Sequence, residues 1–109
     1  MLEDFKAYQL SKDFYWGCKS LKIQRFLQDQ LLRASSSVAL NLSEASGRRT
    51  PNDQRRHFAI AFGSLQECRT ILELEKINEP KLHEIADQLA AILYTLTRKQ
   101  IPKNSVSEN

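Results

Sequence analysis

The chain has 109 residues, of which 41% are hydrophobic and 27% are charged, and its formal net charge is +3. This length and balance fit one folded domain with one core, and they exclude a disordered chain or two separate domains. No apolar run approaches the ~20 residues of a membrane span, and no apolar signal-peptide segment opens the chain, so we expect a cytoplasmic protein.

Apolar residues at helical spacing predict the first two helices. The first is expected from about residue 2 to residue 18, with Ala7, Leu10 and Phe14 on its inner side. Gly17 marks its end only weakly, and a very tight turn would join it to the next helix. The second helix is expected from about residue 22 to residue 46. Its apolar stripe is Leu27, Leu31, Ala34, Val38, Leu42 and Ala45.

The middle of the second helix, residues 34–37, reads Ala-Ser-Ser-Ser and has poor intrinsic helix propensity. Small side chains make sense inside a helix where another helix approaches closely. Buried serine hydroxyls can donate hydrogen bonds to carbonyls of their own helix. The serine run therefore predicts a tight helix contact.

The joint that follows is well marked. Gly47 tolerates the left-handed conformation that often ends a helix. Thr50, Pro51 and Asp53 form a capping pattern, with the proline at the first helical position, where its missing N–H costs nothing. A joint this short predicts two antiparallel neighbouring helices.

The third helix is expected from about residue 51 to residue 77, and the fourth from the break at residues 78–80 to about residue 100. Their apolar stripes are Phe58, Ala61, Leu65, Cys68 and Leu72, and then Leu82, Ile85, Leu89, Ile92 and Leu96. The pattern predicts an all-α, antiparallel up-down-up-down four-helix bundle over residues 1–101, with a flexible C-terminal tail at 102–109.

Further apolar residues widen the surface of the third helix beyond one stripe. They are Ile60, Phe62, Ile71 and Leu74. A helix this apolar is expected to contact more than its own bundle. This is the main argument from the residues for a homo-oligomer.

Helix geometry also predicts which residues of the second and third helices lie level. Residue numbers at equal height should add up to about 99, because both helices rise ~1.5 Å per residue. Arg33 is then level with Glu67, and we expect the two to form an interhelical ion pair. Glu44 and Arg55 are expected to form a second pair at the other end of the seam.

The net charge is concentrated at this joint. Four arginines, with only Asp53 as a nearby acid, account for the whole formal excess: Arg48, Arg49, Arg55 and Arg56. One hypothesis is a nucleic-acid surface with phosphate contacts and no base preference. The alternative is that these arginines only pair with carboxylates of the same chain or of a neighbouring subunit.

No pattern for catalysis or for a cofactor emerges. The serines lack a neighbouring base, and His57 beside Arg56 is expected to lie on the exposed basic face. Cys18 and Cys68 are far apart in sequence and lack the spacing of a zinc or redox site, so Cys68 is expected to be a buried, reduced thiol. We expect no enzymatic activity, no metal and no cofactor.

The second and third helices contain a central motif, which consists of Arg33-Ala34-Ser35-Ser36, Asn41 with Glu44, Gly47-Arg48, Phe58 with Ala61, and Gly63-Ser64-Leu65 with Glu67. This motif resembles that of a small bacterial four-helix-bundle family first known from open reading frames in 23S ribosomal RNA intervening sequences. That family also includes the accessory variability proteins of diversity-generating retroelements.

The resemblance implies a four-helix bundle that assembles as a ring of identical subunits, a homopentamer in the retroelement branch. For that branch it also implies binding to nucleic acid and to a reverse transcriptase through basic surfaces. It supplies no enzymatic activity. Two hypotheses therefore remain: an oligomeric scaffold that binds RNA or DNA through its basic loop, or a homo-oligomeric protein-interaction module that does not.

Overall fold

The computed structural model describes residues 2–98, and all regular structure in this range is helical. The four helices are α1 (Leu2–Lys19), α2 (Arg25–Ser46), α3 (Pro51–Leu74) and α4 (Pro80–Arg98). The four predicted helices are confirmed. The predicted end of the last helix near residue 100 and the predicted tail at 102–109 lie outside the described residues.

The joint between α1 and α2 is longer than expected. α1 continues through Gly17 to Lys19, and α2 begins only at Arg25, three residues later than predicted. A Cβ atom at Gly17 would lie 2.6 Å from Cδ1 of Leu82. Gly17 does not end α1 but lies inside it. The absence of a side chain at Gly17 leaves room for the close approach of α4.

The cap of α3 is confirmed. The Thr50 hydroxyl oxygen accepts a hydrogen bond from the Asp53 backbone N–H at 3.1 Å, and Pro51 is the first helical residue. The expectation for Gly47 is wrong, since its φ is −96°, which any residue can adopt. α2 ends instead in a tightened turn, in which the Gly47 N–H donates to the carbonyl oxygen of Glu44 at 3.1 Å.

α3 ends at Leu74, three residues before the predicted position. Lys76 adopts the left-handed conformation with a φ of 52°. The Ile77 N–H then donates to the Leu72 carbonyl at 3.0 Å, and the Lys76 N–H donates to the Glu73 carbonyl at 3.0 Å. These two bonds form a Schellman motif. The motif was not predicted from the sequence, because a lysine occupies the position that is usually a glycine.

Each helix packs against two others. α1 and α3 each contact α2 and α4, and within residues 2–98 no Cα atom of α1 lies within 8 Å of a Cα atom of α3. The predicted stripe of α3 is fully buried, and so is that of α2 except Leu27, which is partly buried. On α1 the buried residues include Ser11 and Cys18, while Leu10 is only partly buried.

Within residues 2–98, no helix is both long enough and apolar enough to cross a membrane.

Candidate nucleic-acid interface

Polar contacts between α2 and α3 fix the position of the loop that joins them. The Ser64 hydroxyl donates to the Ser37 hydroxyl at 2.9 Å, and Nδ1 of His57 lies 3.0 Å from the Asn41 carbonyl oxygen. As contacting residue numbers rise along α2 they fall along α3, so these two helices are antiparallel. The residue numbers of these two contacts add up to 101 and 98, close to the predicted value of about 99.

The Asn41 amide links the two contacts. Its NH₂ group donates to the Ser37 backbone carbonyl at 2.9 Å and to the Ser37 hydroxyl at 3.2 Å. This fixes the amide so that its oxygen faces His57, which donates from Nδ1. Ser35 and Ser36 donate to backbone carbonyls within α2, at 3.3 and 2.9 Å, as expected for hydroxyls inside a helix.

The prediction that His57 lies on the exposed basic face is wrong, because the side chain is buried, with 7% of its surface exposed. His57 stands seven residues before Ser64, so both lie on the side of α3 that meets α2. That spacing is the signal in the sequence that would have placed it in the seam. The basic surface of the loop consists of arginines alone.

Two of the loop arginines share one aspartate. Arg56 lies 3.0 Å from one Asp53 carboxylate oxygen, and Arg48 lies 3.8 Å from the other. Arg48 also pairs with Glu44 at 2.6 Å, a contact that was not predicted. Arg48 reaches Glu44 because it follows the end of α2 directly and stands four residues after Glu44. These pairs are solvent-exposed, and each is worth only about 0–1 kcal/mol.

The other two arginines differ from each other. Arg55 is partly buried and donates to the Asn52 side-chain oxygen at 2.6 Å. Arg49 is exposed, and within residues 2–98 its side chain has no hydrogen-bond or ion-pair partner. Considering residues 2–98 alone, the loop therefore offers the guanidinium group of Arg49 without a partner, and those of Arg48 and Arg56, which would have to leave a carboxylate to bind another anion.

The ion pair predicted between Arg33 and Glu67 does not form in the described part of the chain. Both side chains are exposed. The two residues do lie level, because Arg33 is four residues before Ser37, Glu67 is three residues after Ser64, and these two serines are in contact. The height rule predicted that Arg33 and Glu67 lie near each other, but it did not predict where their side chains point.

The remaining motif residues have structural positions. Ser35 is fully buried, and Asn41 and Ser64 belong to the seam. Gly63 is exposed in the middle of α3, and a Cβ atom there would meet nothing within 4 Å. Packing within the chain therefore does not require a glycine at this position.

The thiols of Cys18 and Cys68 are both buried. Burial raises the pKa of the Cys18 thiol to about 12. Burial also raises the pKa of the Cys68 thiol, with smaller contributions from the nearby Cys18 and Glu67 charges. Among the described residues no group of three or more His, Cys, Asp or Glu side chains is arranged to hold a metal ion.

A comparison with protein-family models decides the family. The model described as 23S rRNA-intervening sequence protein matches residues 5–101, which include most of α1, all of α2, α3 and α4, and the whole central motif. The chain belongs to this family.

Membership of the 23S rRNA-intervening sequence protein family confirms the resemblance that the motif around residues 33–67 predicted. Searches among curated proteins and among solved structures gave no significant match. The family of this chain and the presence of four helices are thus established. The description of the family does not state an activity.

Proposed function

We propose that this chain is a non-enzymatic, homo-oligomeric scaffold built from an up-down-up-down four-helix bundle. One observation carries the proposal: all four helices present large hydrophobic side chains to solvent. In the described range these are Phe5, Trp16, Phe26, Leu40, Ile60, Leu74 and Tyr94. Single exposed apolar residues are normal on a monomer, but two large ones on each of α1, α2 and α3, with Tyr94 on α4, favour contact with other chains.

A ring is the form of assembly that the family resemblance suggests, with five subunits in its retroelement branch. A ring needs two different surfaces on each subunit, since the contact is head to tail. Trp16 on α1 and Tyr94 on α4 give the chain apolar side chains on two separate helices. These residues support a closed ring as part of the proposal.

The test of the oligomer is a mass measurement by light scattering across a wide range of protein concentrations. We expect a mass of two or more times that of the 12.6 kDa chain. A mass of one chain at every concentration would contradict it.

Nucleic-acid binding through the α2–α3 loop is a second candidate function, and Arg49 is the observation that favours it. An exposed guanidinium group without a partner in the described chain is available to a phosphate. Arg48 and Arg56 would join it by exchanging the Asp53 carboxylate for the phosphate. Such contacts depend on salt and do not select bases. A reverse transcriptase bound to the same nucleic acid is the protein partner that the retroelement resemblance suggests.

The test of the loop is binding to structured RNA and to duplex DNA across a salt series. For DNA, Arg49→Ala should reduce the slope of log affinity against log salt by about 1, which corresponds to one lost phosphate contact. Arg69→Ala is the matched control, because it removes the same charge from an arginine that Asp87 holds at 2.9 Å. No binding at low salt by an intact oligomer would favour the alternative, a protein-interaction module without nucleic acid.

A further inference from the structure

Six exposed side chains form two stripes on the outside of α2 and α3. They are Phe26, Arg33 and Leu40 on α2, and Ile60, Glu67 and Leu74 on α3. The four apolar members expose between 42% and 66% of their surface. Within each stripe the spacing is seven residues, which is close to two helical turns, so each stripe stays on one side of its helix. We name this surface the outer α2–α3 face.

The two stripes match each other in height. Arg33 lies one turn from Ser37, and Glu67 lies about one turn from Ser64 in the same direction along the bundle, because the helices are antiparallel. The seven-residue spacing then places Phe26 level with Leu74 at one end, and Leu40 level with Ile60 at the other. From end to end the face is apolar, charged and apolar over about 21 Å.

The charged pair in the middle of the face has no partners within the described residues. Neither the Arg33 nor the Glu67 side chain makes a hydrogen bond or ion pair there, and Asp29, one turn before Arg33, does not pair with it. Gly63, one turn from Glu67, leaves open space beside the stripe. Opposite charges and room for close approach are therefore both present on one surface.

We propose that the outer α2–α3 face binds the same face of a second copy of this chain, about a two-fold axis parallel to the helices. This rests on the proposed homo-oligomer and names the surface that forms it. The two-fold axis places α2 of one copy on α3 of the other. Arg33 of each copy then meets Glu67 of the other, and the apolar ends of the stripes also meet.

The arrangement follows from charge complementarity. A two-fold axis perpendicular to the helices would place α2 on α2 and would set Arg33 against Arg33, which like-charge repulsion disfavours. A contact of the proposed kind joins chains in pairs, so the assembly contains an even number of chains. If a ring forms through other surfaces, this contact joins it to a second ring.

The experiment is a charge-reversal complementation followed by light scattering. Arg33→Glu and Glu67→Arg are each expected to raise the dissociation constant at least tenfold, because each sets like charges against each other across the contact. An equimolar mixture of the two variants should assemble again, since the reversed charge of each meets the reversed charge of the other. Matched controls are Lys6→Glu on α1 and Glu84→Arg on α4, both at exposed positions.

The outcomes separate the two proposals. Recovery on mixing supports the outer α2–α3 face, and circular dichroism should show that each variant keeps its helices. If the single variants assemble like the wild type, or if mixing restores nothing, this face is overturned and the homo-oligomer stands. A wild-type chain that is monomeric at every concentration overturns both. If either single variant fails to fold, the double variant Arg33→Glu/Glu67→Arg provides the test, because its reversed charges again face opposite charges across the contact. Self-assembly of the double variant supports the face, and a folded double variant that does not assemble overturns it.

Discussion

The two thiols of the core make the stability of the protein sensitive to alkaline pH. The ordinary thiol pKa is 9.0, and burial raises that of Cys18 to about 12. Between these values the native state keeps a proton that the unfolded chain releases, so the unfolded state binds fewer protons there. By linkage, the free energy of unfolding then falls as pH rises from about 9 towards 12.

Urea denaturation at a series of pH values checks this expectation. Cys18→Ala should make the alkaline fall in unfolding free energy shallower, because one buried thiol no longer ionises on unfolding. Ser11→Ala is a matched control, since it alters a buried α1 side chain that does not titrate in this range. If Cys18→Ala leaves the pH dependence of the wild type unchanged, the thiol does not cause the fall.

Asn41→Ala should lower the free energy of unfolding by about 1–3 kcal/mol. The substitution leaves Nδ1 of the buried His57 without its acceptor, and an unsatisfied buried donor carries a cost of this size. Ser36→Ala is the control, because the Ser36 hydroxyl donates only to a carbonyl of its own helix. Equal stability of the two variants, measured in urea, would show that the seam contact adds nothing.

Residue burial was predictable where periodicity alone decides it. The stripe from Phe58 to Leu72 was placed correctly because apolar residues at three- and four-residue spacing share one side of a helix. The positions of Arg33, Glu67 and His57 were predicted wrongly, because apolar periodicity does not determine where a polar residue points. A polar residue at the edge of a seam points inward or outward with a small rotation of the helix, and only its contacts decide which.

At the scale of the helices, Lys76→Gly should raise the free energy of unfolding by about 1 kcal/mol. Lys76 has a positive φ, at which a Cβ atom is unfavourable and a glycine is not. Lys76→Ala retains the Cβ atom and should change stability little, so it separates backbone strain from loss of the charge. A glycine variant no more stable than the alanine variant in urea denaturation would contradict the argument.

The helix boundaries differed in how well the sequence predicted them. The start of α3 was predicted to the residue because its cap is a local bond between Thr50 and Asp53. The end of α2 at Ser46 was also predicted, although Gly47 has an ordinary φ. The end of α3 was not, since the left-handed residue there is Lys76. Ile77 packs against the core after the end of α3, so tertiary packing determines that end.

For the whole molecule, the proposed homo-oligomer predicts a melting temperature that rises with protein concentration. Association stabilises the folded chain by mass action, and for a dimer of this size the rise is on the order of 3 °C for each tenfold increase. Differential scanning calorimetry over a hundredfold range of concentration measures it.

Leu40→Gln provides the control for that measurement. Leu40 is largely exposed, so the substitution should leave the folding of one chain intact. It should nevertheless reduce the dependence on concentration if this side chain contacts another copy. A wild-type melting temperature that is independent of concentration would contradict a reversible homo-oligomer.

The fold class was predictable from the sequence because the spacing of apolar residues and the cap at Thr50 all favour helices. The basic loop was located correctly, yet the sharing of Asp53 between Arg48 and Arg56 was not foreseen. Such exposed pairs depend on rotamers that no spacing rule specifies. Contacts between chains are even harder to predict from residue spacing, because the same exposed residues could bind several different partners.

The diagonal placement of α1 and α3 has a practical consequence for handling the protein. Cα atoms joined by a disulfide are usually less than about 7 Å apart, and in the described structure those of Cys18 and Cys68 are more than 8 Å apart. Air oxidation therefore cannot cross-link the folded core. A disulfide-linked species on a non-reducing gel would come from chains that had opened, so such a gel would report unfolding during storage.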